Sequence, residues 1–182
     1  MRRLVGLVWV VLLLAVPAWA VNKIYVNPET AITFADSAQS PSATLTFSAL
    51  ASGAGRISAQ FDRGAGAIAM CYVWRATNSL SGTNVVGAAI EYFLATSDGT
   101  NIDGQVGTSD AALASDKRNN LKFLGLLIVD QTTTNTNMTA SGTVCTSSRY
   151  LSIGVWNATT LAFQTSTSAH KFSLTPIPME IQ

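Results

Sequence analysis

His170 is the only histidine in 182 residues, so a hydrolase built on an imidazole base would have to use it. It stands beside Lys171 with neither a carboxylate nor a nucleophile near it in sequence, and a catalytic triad needs both. A structural or surface histidine is the expectation. Glu91 could serve a glycosidase only with a second carboxylate across the sugar, and one strand carboxylate specifies no partner. The sequence has no Gly-x-Ser-x-Gly elbow and no glycine-rich phosphate loop ending in Lys-Ser/Thr. Two cysteines and one histidine are too few for a four-ligand structural zinc site. Asn101-x-Asp103-Gly104, with Asp110 beyond, partly resembles a calcium loop, yet Gly99 falls where the first carboxylate belongs. An Asx-rich turn is the simpler reading, with a looser calcium site from Asp98 and Asp103 left open. No catalytic residue, cofactor site or metal set is assigned.

Export chemistry is written more plainly. Arg2 and Arg3 precede an apolar run over 4–16, Pro17 stops any helix, and Ala18-Trp19-Ala20 has the small-x-small form that signal peptidase reads. The run falls short of the ~20 apolar residues that a spanning helix needs. Residues 1–20 therefore read as a signal peptide cut between Ala20 and Val21, with an uncleaved anchor as the alternative. No cysteine directly follows the run, which excludes a lipoprotein. An exported chain meets an oxidising compartment, where an even cysteine count suggests a bridge. A Cys71–Cys145 disulfide and two separate buried thiols both fit.

Composition sets the background. Charged residues are 12% of the chain, about half the usual share. Eleven basic against ten acidic side chains leave +1, too little for a nucleic-acid face. Of the 162 residues after position 20, 39 are Ser or Thr, which suits polar strand faces better than a buried reactive pocket.

The elements that must position these residues are strands. Segments 43–50, 55–62, 67–77, 85–96, 121–130, 138–145, 150–158 and 169–177 are separated by Gly/Ser/Asn/Asp clusters. Leu45 and Phe47 alternate with Thr44, Thr46 and Ser48; Met70, Tyr72 and Trp74 alternate with Cys71, Val73 and Arg75. A period of two puts one face in a core. The fold expected is all-β, a jelly-roll-like antiparallel β-sandwich of about eight strands over 43–182. Residues 21–42 read as an extension or a first strand. Segment 121–130, apolar almost throughout, reads as a central strand buried on both faces, with a helix as competitor. Ser109-Asp110 reads as a cap for a short helix over 111–114, and 131–137 as an exposed loop. Tyr72, Trp74, Tyr92, Phe93, Phe123, Tyr150 and Trp156 lie on these strands, where core packing is commoner than a sugar-stacking platform. Asn137-Met138-Thr139 and Asn157-Ala158-Thr159 are formal glycosylation sequons.

From Leu45 to Ile177 the order of features resembles small virion structural proteins of tailed phages, of the head-decoration or minor structural β-sandwich type. The residues that carry it include Ser48-Ala49-Leu50-Ala51-Ser52-Gly53-Ala54-Gly55-Arg56 and Tyr72-Val73-Trp74-Arg75-Ala76-Thr77. Tyr92-Phe93-Leu94-Ala95-Thr96-Ser97-Asp98-Gly99, Asn120-Leu121-Lys122-Phe123-Leu124-Gly125 and Leu151-Ser152-Ile153-Gly154-Val155-Trp156-Asn157 continue it. The resemblance implies a non-enzymatic subunit of a particle surface, in contact with other virion or surface subunits and with copies of itself, located on the virion. The alternative is an exported glycan-binding module, periplasmic or extracellular. Neither reading involves nucleic acid, a cofactor or, once the signal is removed, a membrane.

Overall fold

The computed structural model describes residues 29–178 together with two short outlying strands. In chain order the strands are β1 (Ile24–Tyr25), β2 (Ile32–Ala35), β3 (Ala43–Thr44), β4 (Gly55–Ile57), β5 (Phe61–Asp62) and β6 (Cys71–Asn78). They continue with β7 (Ala89–Ser97), β8 (Ala111–Leu113), β9 (Lys122–Ile128), β10 (Met138–Cys145), β11 (Tyr150–Asn157), β12 (Lys171–Pro176) and β13 (Glu180–Ile181). β1 and β13 pair antiparallel in a unit of their own. The expected signal sequence and its Ala20–Val21 junction lie outside the described residues. Among those described, no helix is long and apolar enough to cross a membrane.

The other eleven strands form a β-sandwich. Sheet I has the order β10-β6-β12-β2-β3, antiparallel except for the parallel β2–β3 pair. Sheet II has the order β8-β4-β11-β7-β9, with β5 pairing β11 off that path. Alternation decides what enters the space between them. Tyr72, Trp74 and Ala76 of β6 meet Ile90, Tyr92 and Leu94 of β7 in one buried cluster. Phe172 sits among aromatic rings there, with centroids 5.4 Å from Tyr92, 5.9 Å from Trp74 and 6.2 Å from Phe34. Burying such side chains contributes roughly 1.5–3 kcal/mol each, and that is what holds the two sheets together.

Two glycines let the sheets close at one corner. A Cβ on Gly142 would lie 2.7 Å from Trp74 Nε1, and one on Gly125 would lie 2.7 Å from Trp74 Cζ2. Gly142 is directly opposite Trp74 in the β10–β6 ladder, so the indole lies over it. Gly142→Ala should therefore overpack the corner and lower stability by about 1–3 kcal/mol in urea unfolding. An unchanged midpoint would show that the ring can move aside.

A carboxylate clasp ties residue 29 to the loop before β6. Glu29 accepts from the Ile68 and Ala69 amides at 2.6 and 2.7 Å, from the Tyr72 hydroxyl at 2.9 Å and from Arg63 at 3.2 Å. Burial works to raise the Glu29 pKa, but the Ala69 amide, Arg63 and Tyr72 outweigh it and hold the carboxyl below its ordinary value. Segment 21–42, an extension or a first strand by its sequence, contributes β2 to the interior of sheet I.

Three expectations about elements are corrected. Residues 111–114 do not form a capped helix. Asp110, expected as the cap, accepts from Arg56 Nε at 2.8 Å and from the Thr46 amide at 3.2 Å, so its carboxylate is turned away from the amides that follow. Ala111–Leu113 is then free to pair with β4 as an edge strand. Segment 121–130 is a strand but not a central one: β9 ends sheet II, and Phe123, Leu126 and Ile128 are 54%, 41% and 49% exposed. Of segment 43–50, only Ala43–Thr44 joins a ladder. Leu45 and Phe47 stay fully buried, because the Leu45 amide bonds to the Ala35 carbonyl while Thr46 is claimed by Asp110.

Candidate functional site

Sheet II carries a second, smaller core on its far face. Phe93 and Ala95 point away from Tyr92 and Leu94, and with Ile57, Val106, Leu113 and Leu121 they form a separate buried cluster. The excursion 98–121 supplies the cover. It reaches only the start of β9, at Arg118 and Leu121, and beyond that the face is open.

What it leaves uncovered is apolar. Phe123, Leu126 and Ile128 stand opposite Phe93, Glu91 and Ala89 on the same face. An irregularity between Tyr92 and Phe93 in the ladder lets Leu124 and Gly125 both turn toward the main core, so that the strand keeps its outer row on either side. The turn before β7 lies alongside: the Gly87 amide donates to the Val129 carbonyl at 2.9 Å, and Val85 and Val86 are 54% and 58% exposed. Five of the large apolar side chains left in water thus lie on β9 or in the turn beside it, and exposed apolar patches mark contact sites in soluble proteins.

Next to the rim runs a shallow groove of about 430 Å³ lined by Glu91, Phe93, Arg118, Leu121, Phe123 and Leu126. Arg118 Nη1 is 2.8 Å from Glu91 Oε2, and its guanidinium lies 4.3 Å above the Trp156 ring. The two charges pair with each other, and the Arg118 guanidinium is also engaged by the ring. Phe123 meets Phe93 edge-on with centroids 5.6 Å apart, which leaves the Phe123 ring as a knob flanked by Leu126.

The other candidate residues stand elsewhere, each in a local task. The chain matches no family model, and no curated protein matches it. What each residue does must therefore be read from its surroundings. Cys71 and Cys145 face each other in the β6–β10 ladder and are joined, with Sγ atoms 2.06 Å and Cα atoms 3.9 Å apart. Asp98 closes its own turn, accepting from the Thr100 and Asn101 amides, which lower its pKa to about 2. Asp103 instead accepts from the Thr96 amide and hydroxyl. The two carboxylates serve separate turns, and no group of three or more metal-ligating side chains is found among the described residues.

His170 is fully buried, stacked against Phe163 at 5.4 Å and Phe47 at 6.0 Å. Its Nε2 lies 2.8 Å from the Gln164 carbonyl and its Nδ1 3.1 Å from the Asn78 side chain, which also meets the Tyr92 hydroxyl. Burial pushes the imidazole pKa below 6.5. A neutral ring has a single N–H, and the Gln164 carbonyl can only accept it. Because the folded pKa is depressed, the contribution is complete above pH 6.5 and declines as pH falls below it. Urea midpoints should drop as pH falls from 6.5 through the folded pKa in the wild type, and drop less in His170→Gln. Equal pH slopes for the two chains would show that His170 does not carry the effect.

The sequons separate cleanly. Asn157 is buried and its amide nitrogen donates to the carbonyls of Leu50, Ala51 and Leu161, while its oxygen accepts from Thr159. Asn137 is exposed at the start of β10. Secretion from a glycosylating cell should yield folded chain with sugar at Asn137 alone, read by peptide mass mapping. A folded, secreted species with sugar on Asn157 would contradict the assignment. Tyr72, Trp74, Tyr92 and Phe93 are core residues, Tyr150 and Trp156 are half-buried, and Phe123 is exposed.

The rim residues are hard to find from sequence because 121–130 alternates poorly, and an apolar run cannot tell burial on two faces from an open edge. Lys122 and Asp130, one at each end, are the available signal, since edge strands are commonly bounded by charge.

Proposed function

We propose that the protein is a non-catalytic structural subunit of a particle surface, and that it acts through subunit contacts made by the rim of sheet II. The observation that carries this is the row of Phe123, Leu126 and Ile128 on the open face of β9, with the exposed Val85 and Val86 in the turn alongside. Aliphatic side chains around a single ring fit a protein surface better than a sugar, which needs an unobstructed ring face. The virion reading follows from the resemblance to tailed-phage structural proteins and is supported by a rigid sandwich whose histidine and paired charges are consumed by structure. A disulfide suits a chain that must persist outside the cell.

The test is a charge on the rim. Leu126→Asp should leave the fold in place with at most a small loss of stability, since the side chain is 41% exposed and the new carboxylate faces Glu91 across the ladder. It should abolish assembly, because an unpaired charge in a contact costs several kcal/mol. The wild type should sediment as an oligomer and be found by mass spectrometry in purified phage particles of a producing culture; Leu126→Asp should be a monomer and absent from them. A wild-type chain that stays monomeric and is missing from intact particles would overturn the proposal.

A further inference from the structure

The outer face of sheet I has a different chemistry from the rim. Four of the five arginines among the described residues have a carboxylate partner: Arg56 with Asp110, Arg63 with Glu29, Arg118 with Glu91 and Arg149 with Asp62. Arg75 is the exception. It is exposed in the middle of β6, with Ser141 of β10 directly opposite on one side and Ser173 of β12 on the other. Lys171 stands one row away, opposite Thr77, which in turn faces Thr139. Neither cation forms an ion pair among the described residues. The next row in the other direction replaces the cation with Val73 between two threonines, Thr143 and Thr175. No outward position of β6, β10 or β12 holds Asp, Glu or an aromatic ring.

We infer that this face binds an anionic polysaccharide, a chain dense in hydroxyls and bearing carboxylate or sulfate groups at intervals. Three rows two residues apart on three adjacent strands make a flat patch about 14 Å along the strands and about 10 Å across them. Within it a shallow depression of about 440 Å³ lies over Val73, Arg75, Thr139 and Ser141. Arg75 offers a planar fork that matches a carboxylate or sulfate bidentately, and Lys171 offers a second positive point nearby. The surrounding hydroxyls donate and accept, which suits sugar hydroxyls on both counts. Without a ring to stack on, a neutral hexose chain gains little here. A nucleic acid is the poorer fit as well, since such faces carry many cations or stacking rings, and this one has two cations and none of the rings. The inference stands apart from the role of the rim, because the two features occupy opposite faces of the sandwich.

The experiment uses the full chain against immobilised heparin and polygalacturonate, with neutral dextran and a single-stranded oligonucleotide as comparisons. To keep the two faces separable, the same series is run on Leu126→Asp, which should bind the polyanions as the wild type does per chain. Binding should weaken by about an order of magnitude when salt rises fourfold, as two released counterions require. The double variant Arg75→Gln/Lys171→Gln should lose about tenfold or more in affinity with an unchanged melting curve, since both side chains are in water. Equal binding by the double variant, equal retention on dextran, or tighter binding to the oligonucleotide would each overturn the inference. So would displacement of the polymer by inorganic sulfate at equal charge concentration, which would reduce the site to a simple anion contact.

Discussion

Arg63→Ala should lower the unfolding free energy by about 3–5 kcal/mol, the range expected when one partner of a buried ion pair is removed. The Arg63 side chain is only 2% exposed, and it holds more than Glu29. One amino group reaches the Ser148 carbonyl at 2.8 Å, another bonds to the Ala69 carbonyl, and the guanidinium lies 5.2 Å from the Tyr72 ring. Truncation leaves two carbonyls and a carboxylate short of donors in a partly closed space. Glu29 keeps its amide partners, so the backbone around residues 68–69 retains its shape while the clasp weakens. Lysine at this position should rescue only part of the loss, because a point charge cannot serve the three directions that the guanidinium fork serves. Urea unfolding of wild type, Arg63→Ala and Arg63→Lys measures the order. The pH dependence gives a second readout. The folded Glu29 pKa is depressed, so the clasp contributes fully above the ordinary carboxylate value and is lost as pH falls through the folded one. Arg63→Ala should flatten that acid limb. A loss under about 1 kcal/mol with an unchanged acid limb would show that Tyr72 and the amides suffice.

How far the fold is legible in the chain depends on whether a face is wetted. β10 runs over the residues expected, Met138–Cys145, because Thr139, Ser141 and Thr143 alternate with more buried positions. β6 and β11 are likewise legible from alternation, β6 also from the Gly64-Ala65-Gly66 turn before it. β9 is recognisable as a strand but not as an edge, because no pattern in an apolar run records which neighbour is missing. β8 is hidden for a more local reason. A Ser-Asp pair before alanines is a good helix start in isolation, but Arg56, 54 positions away, binds the aspartate first. Segment 55–62 breaks into β4 and β5 where Ser58 turns inward: its amide donates to the Ile153 carbonyl, and its hydroxyl accepts from the Ile153 amide and donates to the Ala59 carbonyl. Of the candidate residues, the cysteines can be named but not paired from sequence. That Arg75 has no carboxylate partner among the described residues is invisible there, since it depends on where four other arginines find theirs.

Removing the Cys71–Cys145 bridge should cost about 4 kcal/mol while leaving the native sandwich in place. In the folded protein β6 and β10 are held by an eight-residue antiparallel register from Met138↔Asn78 to Cys145↔Cys71, and the bridge only closes the end of a ladder already formed. In the unfolded chain the bridge closes a loop of 74 residues, within which β7, β8 and β9 all lie. The entropy denied to that loop is the larger effect, and for a loop of this size the chain-entropy model gives on the order of 4 kcal/mol. Cys71→Ala/Cys145→Ala should therefore show the wild-type circular dichroism spectrum, a lower urea midpoint and a steeper dependence on denaturant, because the open chain exposes more surface when it unfolds. Wild-type protein unfolded in the presence of a reductant should behave as the double variant does. Identical unfolding of oxidised and reduced wild type would mean that the two thiols are not joined in the protein as made. A variant that fails to fold at all would instead show that the bridge is needed to bring β6 and β10 together, which the eight-residue register argues against.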